Sequence, residues 1–216
     1  MTATAPRPRL TPLLLDLAGR RCVVVGAGPI GARRAETLLA GGADVTLVDP
    51  APSRAAEDLA ARGARIERRA YAAGDLDGAV LAVAATGNPQ VDEAVHRDAD
   101  AGDILCNVAS NVEECSVVFP SVLNRGDVVV AASTGGASPA LAARLRDHLA
   151  AAVGPEWGAL ADLMGELRPR LRDRYPDSGE RSRAVDRLME SDVMALLAAD
   201  DTAGARRTAL SVLGVA

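Results

Sequence analysis

The stretch Val23-Val24-Val25-Gly26-Ala27-Gly28-Pro29-Ile30-Gly31, continued by Val45-Thr46-Leu47-Val48-Asp49, decides the fold. It reads as a β-strand, a glycine turn, a helix, a second strand and an acid at that strand's tip. Gly26 permits the tight turn out of the strand, Gly28 leaves bare backbone for a pyrophosphate, and Gly31 lets the helix pack close to the strand. The helix N-terminus then offers unpaired N–H groups and a partial positive charge to phosphates. Asp49 lies about 20 residues on, where a carboxylate accepts hydrogen bonds from both ribose hydroxyls of NAD and repels the extra phosphate of NADP. Glycine turns alone are common. The preceding strand, the amphipathic helix over Arg33 to Ala40 and the spaced acid together carry the nucleotide reading.

A chain of 216 residues fits one large domain, or a domain with an appendage, and can bury a core without disulfides or metals. Aromatic residues make up 2%, so the core is built of Val, Leu and Ala and no base-stacking platform is available. A net charge of −5 further opposes nucleic-acid binding. All 24 basic residues are arginine, which excludes the lysine chemistry of Schiff bases and Walker-type phosphate loops. Cys22 and Cys106 sit in apolar runs and read as small core residues, and with Cys115 they form no CxxC pair, so no metal site is expected. No run approaches 18 apolar residues and no signal-peptide core precedes the first strand. The expectation is a cytoplasmic protein with reduced thiols and no membrane partner.

Residues 1–10 read as a loose polar lead and Pro12–Leu17 as a short apolar approach. Strands are expected at Arg21–Gly26, Asp44–Val48, Ala64–Arg68 (an edge strand), Ala79–Ala85 and Ile104–Val108. Helices are expected at Ile30–Gly41, Ser53–Arg62 and Asn88–Ala101. Strands alternating with helices imply an α/β, Rossmann-type doubly wound parallel sheet, whose ligands sit beyond the carboxyl ends of the strands. Those ends are Gly26–Gly31, Asp49, Thr86 and Asn107–Asn111. Ser116–Val122 and Val128–Ser133 then read as a β-hairpin turning through Asn124-Arg125-Gly126-Asp127. An isolated hairpin is marginal in water, so it needs a partner, and a second subunit is one candidate. Ser138 caps, and Pro139 opens, a helix running to about Ala152. The remainder is helical, broken near Pro176–Gly179 and Asp200–Asp201. The domains are therefore drawn as 1–112 (NAD-binding), 113–140 (β-rich dimerisation region with the Gly-Gly loop) and 141–216 (helical).

Several stretches stand out together: Pro12-Leu13, Val25–Gly31 with Arg33-Arg34-Ala35, Ala82–Thr86, Cys106-Asn107-Val108, Phe119-Pro120-Ser121 with Asn124-Arg125, and Ser133–Pro139 running into Leu141-Ala142 and Arg144-Leu145-Arg146. In that combination the chain resembles the siroheme synthase family, in its precorrin-2 dehydrogenase and sirohydrochlorin ferrochelatase module. The likeness spans roughly residues 10–200, and the Cys-Asn-Val, Phe-Pro-Ser and Gly-Gly loop motifs are far more specific than the glycine turn. The remaining tail is too short for the methyltransferase module of fused members. The resemblance implies NAD-dependent oxidation of precorrin-2 to sirohydrochlorin, in many members followed by Fe²⁺ insertion at the same site, and a homodimer interlocked through the hairpin region. It implies that Gly26–Gly31 hold the pyrophosphate and that Pro29, Ile30, Pro50 and Ala51 flank the dinucleotide. It also implies a tetrapyrrole in a cleft among Asn107–Asn111, Ser133–Ser138 (with Gly135 and Gly136) and the helical domain.

The chain departs from the family where the chemistry is expected. The family usually has an aspartate two residues after its Asn-Val pair, and here that position is Ser110, followed by Asn111. A hydroxyl and an amide cannot serve unaided as a general base near neutral pH. Ser110, Asn111 and the hydroxyl of Thr134 are the catalytic candidates. A positioned base contributes about 10²–10⁴-fold, and proximity contributes roughly 7–11 kcal/mol. Oxidation therefore survives the loss better than metal insertion, which must strip pyrrole protons, and dehydrogenase activity should exceed ferrochelatase activity. Two other readings stay open: a diverged member with another substrate, and a non-enzymatic NAD-sensing module. The loop Ser133–Pro139 and the long helical tail count against the second of these.

His96 and His148 are the only histidines and read as structural helix residues. Arg168, Arg170, Arg172, Arg174, Arg181, Arg183 and Arg187 could attract the eight carboxylates of a uroporphyrinoid, but their spacing spreads them round a helix, and a solvated face is the favoured reading. Asp162, Glu166 and Arg170 read as surface pairing.

Overall fold

The computed structural model describes residues 10–215, so most of the expected polar lead lies outside the described residues. The chain divides into two units, Met1–Phe119 and Pro120–Ala216.

The first unit carries β1 (Arg21–Val25), α1 (Pro29–Ala40), β2 (Asp44–Val48), α2 (Arg54–Ala60), β3 (Arg65–Glu67), β4 (Leu81–Ala84), α3 (Pro89–Ala101) and β5 (Leu105–Val108). The five strands form one parallel sheet in the order β3-β2-β1-β4-β5. β1 and β4 lie side by side although two strands separate them in sequence, so the chain reverses its direction of winding between them. Such a switch point opens a crevice at the carboxyl ends of the strands. The central strands are apolar on both faces because both are covered. Cys22, Val24, Leu81 and Val83 pack with Ala35 and Leu38 of α1 and with Ala56 and Leu59 of α2. Val23, Val25, Ala82, Ala84 and Val108 pack with Val95 and Ala99 of α3. Each buried Val or Leu contributes about 1.5–3 kcal/mol relative to exposure. Ser53 and Asn88 cap α2 and α3 through their side-chain oxygens.

The second unit opens with an antiparallel hairpin, β6 (Ser121–Arg125) and β7 (Val128–Ala132), followed by α4 (Pro139–Ala152), α5 (Pro155–Arg174), α6 (Ser178–Met189), α7 (Val193–Ala198) and α8 (Thr202–Leu213). The expected first hairpin strand, Ser116–Val122, is displaced. Ser116 and Val117 instead donate their N–H groups to the Cys106 carbonyl, at 3.0 and 3.2 Å, and stay with the first unit. Pro120 has no N–H to give a ladder, and the strand begins after it. Arg125 pairs with Val128, so the turn is Gly126-Asp127 alone, with Gly126 at φ +55°. The hairpin packs on α4 and α5 of its own unit, burying Leu123 and Ala132 and leaving Val122 and Val129 exposed. In α5, Leu160, Leu163, Leu167 and Leu171 follow helical spacing and face Ala184, Leu188, Ala209 and Leu213. A break at residues 190–192, which no proline or glycine marks, separates α6 from α7.

Candidate functional site

Four segments meet the carboxyl edge of the parallel sheet: Gly26–Gly31 after β1, Asp49–Ala51 after β2, Thr86–Asn88 after β4 and Ala109–Asn111 after β5. The three glycines differ in what surrounds them. Gly26 has φ +94°, and a Cβ there would lie 2.4 Å from the Ala85 carbonyl oxygen. A Cβ on Gly31 would lie 1.8 Å from the Gly26 oxygen. A Cβ on Gly28 would meet nothing within 4 Å. The turn is thus closed from within and open at Gly28, whose residue caps α1 without a side-chain acceptor. Pro29 and Ile30 follow, both exposed, with Ile30 56% accessible.

Asp49 does more than wait at a strand tip. Its Oδ2 accepts the Ala27 N–H at 2.6 Å and its Oδ1 accepts the Ala51 N–H at 2.7 Å. The carboxylate pins the glycine turn to the start of the next loop. Each oxygen retains a second lone pair. Ser53 reinforces the same joint, its Oγ donating to the Ala27 carbonyl at 2.7 Å. Pro50 and Ala51 are exposed beside it.

Thr86 turns inward. Its Oγ1 donates to Asp92 Oδ1 at 2.7 Å and accepts the Asn88 N–H at 3.0 Å. Asp92 is the residue that sequence reasoning missed. It is 3% exposed and accepts from the Thr86 N–H at 3.1 Å and from Ser110 Oγ at 3.4 Å. The sequence signal was its place on the buried stripe of α3, with Val95 and Ala99.

Asn107 is buried in β5. Its Nδ2 donates to the Val117 carbonyl at 2.9 Å, while its Oδ1 is buried with no hydrogen-bond partner among the described residues. Asn111 is spent locally: its Oδ1 accepts the Glu113 N–H at 3.1 Å, capping a 3-10 turn at Val112–Glu114, and its Nδ2 donates to Glu114 Oε1 at 2.8 Å. Glu114 therefore holds Asn111. Cys22 and Cys106 are buried, as expected; burial pushes their thiols up to about 11 and about 12, with Asp44 adding for Cys22 and Cys115, Glu114 and Asp92 adding for Cys106. Burial also raises Cys115, whose Sγ donates to the Val108 and Asn111 carbonyls at 3.3 Å. Arg34 stacks 4.4 Å over the Phe119 ring, and burial lowers its pKa.

In the second unit the loop before α4 is held by its own side chains. Ser133 Oγ accepts the Gly135 N–H at 3.2 Å, Thr134 Oγ1 accepts the Ser138 N–H at 3.0 Å, and Ser138 Oγ accepts the Leu141 N–H at 3.2 Å. Gly135 and Gly136 take φ +59° and +81°. The arginine stretch is divided in use. Arg170 donates to the Val215 carbonyl, and Arg181 to those of Tyr175 and Pro176. The expected Glu166–Arg170 pairing is absent: Glu166 binds Arg206 of α8, which packing of helices brings closer than the local turn. His148 is exposed and His96 half-buried. Among the described residues no cluster of His, Cys, Asp or Glu could hold a metal ion, and no helix is long and apolar enough to cross a membrane.

Three family models match the chain. One described as "Putative NAD(P)-binding" covers residues 13–121, "Sirohaem biosynthesis protein central" covers 125–152, and "Sirohaem synthase dimerisation region" covers 156–213. Siroheme synthase of Azotobacter vinelandii is 35% identical over 95% of this chain and 45% of that protein. Siroheme synthase of Chromobacterium violaceum is 36% identical over 90% of this chain and 42% of that protein. The chain spans less than half the length of these curated relatives. A solved structure, "SirC, precorrin-2 dehydrogenase", superposes with a TM-score of 0.74 at 26% identity, covering 95% of this chain and 99% of that one.

Proposed function

The chain belongs to the siroheme synthase family, and from that premise we propose that it oxidises precorrin-2 to sirohydrochlorin with NAD as coenzyme. The observation that carries this reading is the likeness to SirC over 99% of a chain named for that activity alone. The first unit fits the coenzyme. The space beyond Gly28 is open for a pyrophosphate, and the N-terminus of α1 faces it with no side-chain acceptor of its own. Asp49 holds that turn in place and keeps one lone pair per oxygen for ribose hydroxyls. Ile30, Pro29, Pro50 and Ala51 supply apolar surface beside it. When bound, NAD supplies the hydride acceptor.

Asn107 and the loop Ser133–Ser138 are the proposed tetrapyrrole contacts. Ser110 is the proposed polar group nearest the chemistry, with Thr134 shaping its loop. Asn111, engaged at both ends of its amide, positions the segment that carries Ser110. The matched dimerisation region, together with the exposed Val122 and Val129, supports a homodimer. The relatives' role in bacterial siroheme synthesis supports a cytoplasmic setting.

The test is anaerobic incubation with enzymatically made precorrin-2 and NAD, following sirohydrochlorin absorbance. Steady oxidation is expected, with Fe²⁺ insertion into added sirohydrochlorin slower than oxidation. A protein that binds NAD yet leaves precorrin-2 unchanged would overturn the assignment, and rapid metal insertion would overturn the ranking of the two activities.

A further inference from the structure

The geometry points to Asp92 as a positioning residue that acts through Ser110, so that the two side chains together replace the carboxylate the family usually carries at position 110. The inference rests on the precorrin-2 reading given above. It begins from a buried acid that forms no ion pair among the described residues. Asp92 is 3% exposed, and its carboxylate is met by three donors: the Thr86 N–H, Thr86 Oγ1 and Ser110 Oγ. It stands in the first turn of α3, where the helix dipole favours a negative group. Burying an unpaired carboxylate is costly, and two of these donors come from Thr86, which would suffice to fasten the β4–α3 turn. The third comes from a different strand's end and from an exposed residue, Ser110.

That third contact sets what Ser110 offers outward. With its proton directed at Asp92 Oδ2, the serine presents oxygen lone pairs to solvent and acts as an acceptor. The contact is long, at 3.4 Å, and catalytic hydrogen bonds commonly tighten only when substrate is bound. Oxidation of the macrocycle removes a hydride, which the coenzyme takes, and one proton, which needs a base. The proton passes to Ser110 Oγ as the serine's own proton moves to Asp92 Oδ2. The carboxylate becomes a neutral carboxyl group, and net charge is conserved. Asp92 later returns the proton through Ser110 to water. Among the described residues Ser110 Oγ is bonded to Asp92 and to neither Glu113 nor Glu114, and Glu114 Oε1 is turned to Asn111 Nδ2.

The same geometry changes the meaning of placing an acid at 110. Ser110→Asp alone sets a second carboxylate against Asp92. Like charges at that separation oppose joint ionisation, so the single variant does not simply restore the family's arrangement.

The experiment is a charge-relocation cycle on the full chain: wild type, Asp92→Asn, Ser110→Asp, and the double variant Asp92→Asn with Ser110→Asp. Asparagine is isosteric and keeps an acceptor for Thr86, but its amide donates to Ser110 and reverses the polarity of that contact. Asp92→Asn is expected to lower kcat about 100-fold or more, leaving NAD affinity by calorimetry and KM within about threefold. The double variant is expected to recover at least tenfold of that loss. A purely structural role for Asp92 predicts a lowered melting temperature, altered NAD affinity and no recovery. Asp92→Asn turning over at the wild-type rate, or a double variant no better than Asp92→Asn, would sink the inference. Wild type failing to oxidise precorrin-2 would instead sink the functional reading on which it stands.

Discussion

Two loops in this molecule are rich in glycine, and they need it for different reasons. The turn after β1 is crowded by backbone: that of Ala85 and of Gly26 itself fills the places where side chains on Gly26 and Gly31 would go. The loop before α4 is open. A Cβ on Gly135 would meet nothing within 4 Å, and only its φ of +59° favours glycine. The first is fixed by packing and by Asp49, the second by hydroxyls of Ser133, Thr134 and Ser138 tied to nearby backbone. Packing tolerates no added atom, whereas local hydrogen bonding tolerates one at the cost of strain.

Substitutions can break this contrast. Gly31→Ala should have the largest effect, destabilising the first unit by about 3 kcal/mol or more, because the obstructing atom is backbone and cannot swing away. Denaturant unfolding reads this, and a wild-type midpoint would refute the crowding. Asp49→Ala should follow, at roughly 1–3 kcal/mol, because it strips the Ala27 and Ala51 N–H groups of their acceptor; NAD affinity should fall with it in calorimetry. Gly135→Ala should cost about 1–2 kcal/mol, the penalty of a left-handed backbone with a Cβ. A loss as large as that of Gly31→Ala would erase the distinction. Gly28→Ala should move stability least, by about 0.5 kcal/mol, yet weaken NAD at least tenfold in calorimetry, since its Cβ points into the open space. Unchanged affinity would show that no phosphate lies there.

The glycine turn is legible in the sequence because its setting is local: a strand, a turn and a helix succeed one another within Arg21–Ala40, and hydrophobic period distinguishes them; the crowding of Gly26 by Ala85 is not local and is not legible there. Ser138 and Pro139, at the start of α4, are legible for the same local reason. The second hairpin strand falls where expected, but the first starts five residues later than expected, because Ser116–Val118 is as β-prone as Ser121–Arg125 and the contact of Ser116 with Cys106, across ten residues, holds it in the first unit. Asp92 escaped for a related reason. An acid in an amphipathic helix ordinarily faces water, and its burial follows from Ser110 and Thr86 arriving from two other strand ends. Glu166 likewise found its cation, Arg206, forty residues away. What was legible was what neighbours in sequence determine, and what was not depended on the third dimension.

All three thiols, Cys22, Cys106 and Cys115, belong to the first unit, and burial raises each of them above an ordinary thiol. Thiolate is the form that alkylating reagents attack, so Cys22 and Cys106 are shielded twice, by access and by acidity, and the half-buried Cys115 chiefly by acidity. Iodoacetamide uptake would then act as a clock for transient opening of the nucleotide-binding half, silent to whatever the helical half does, and coenzyme should slow that clock in proportion to its occupancy.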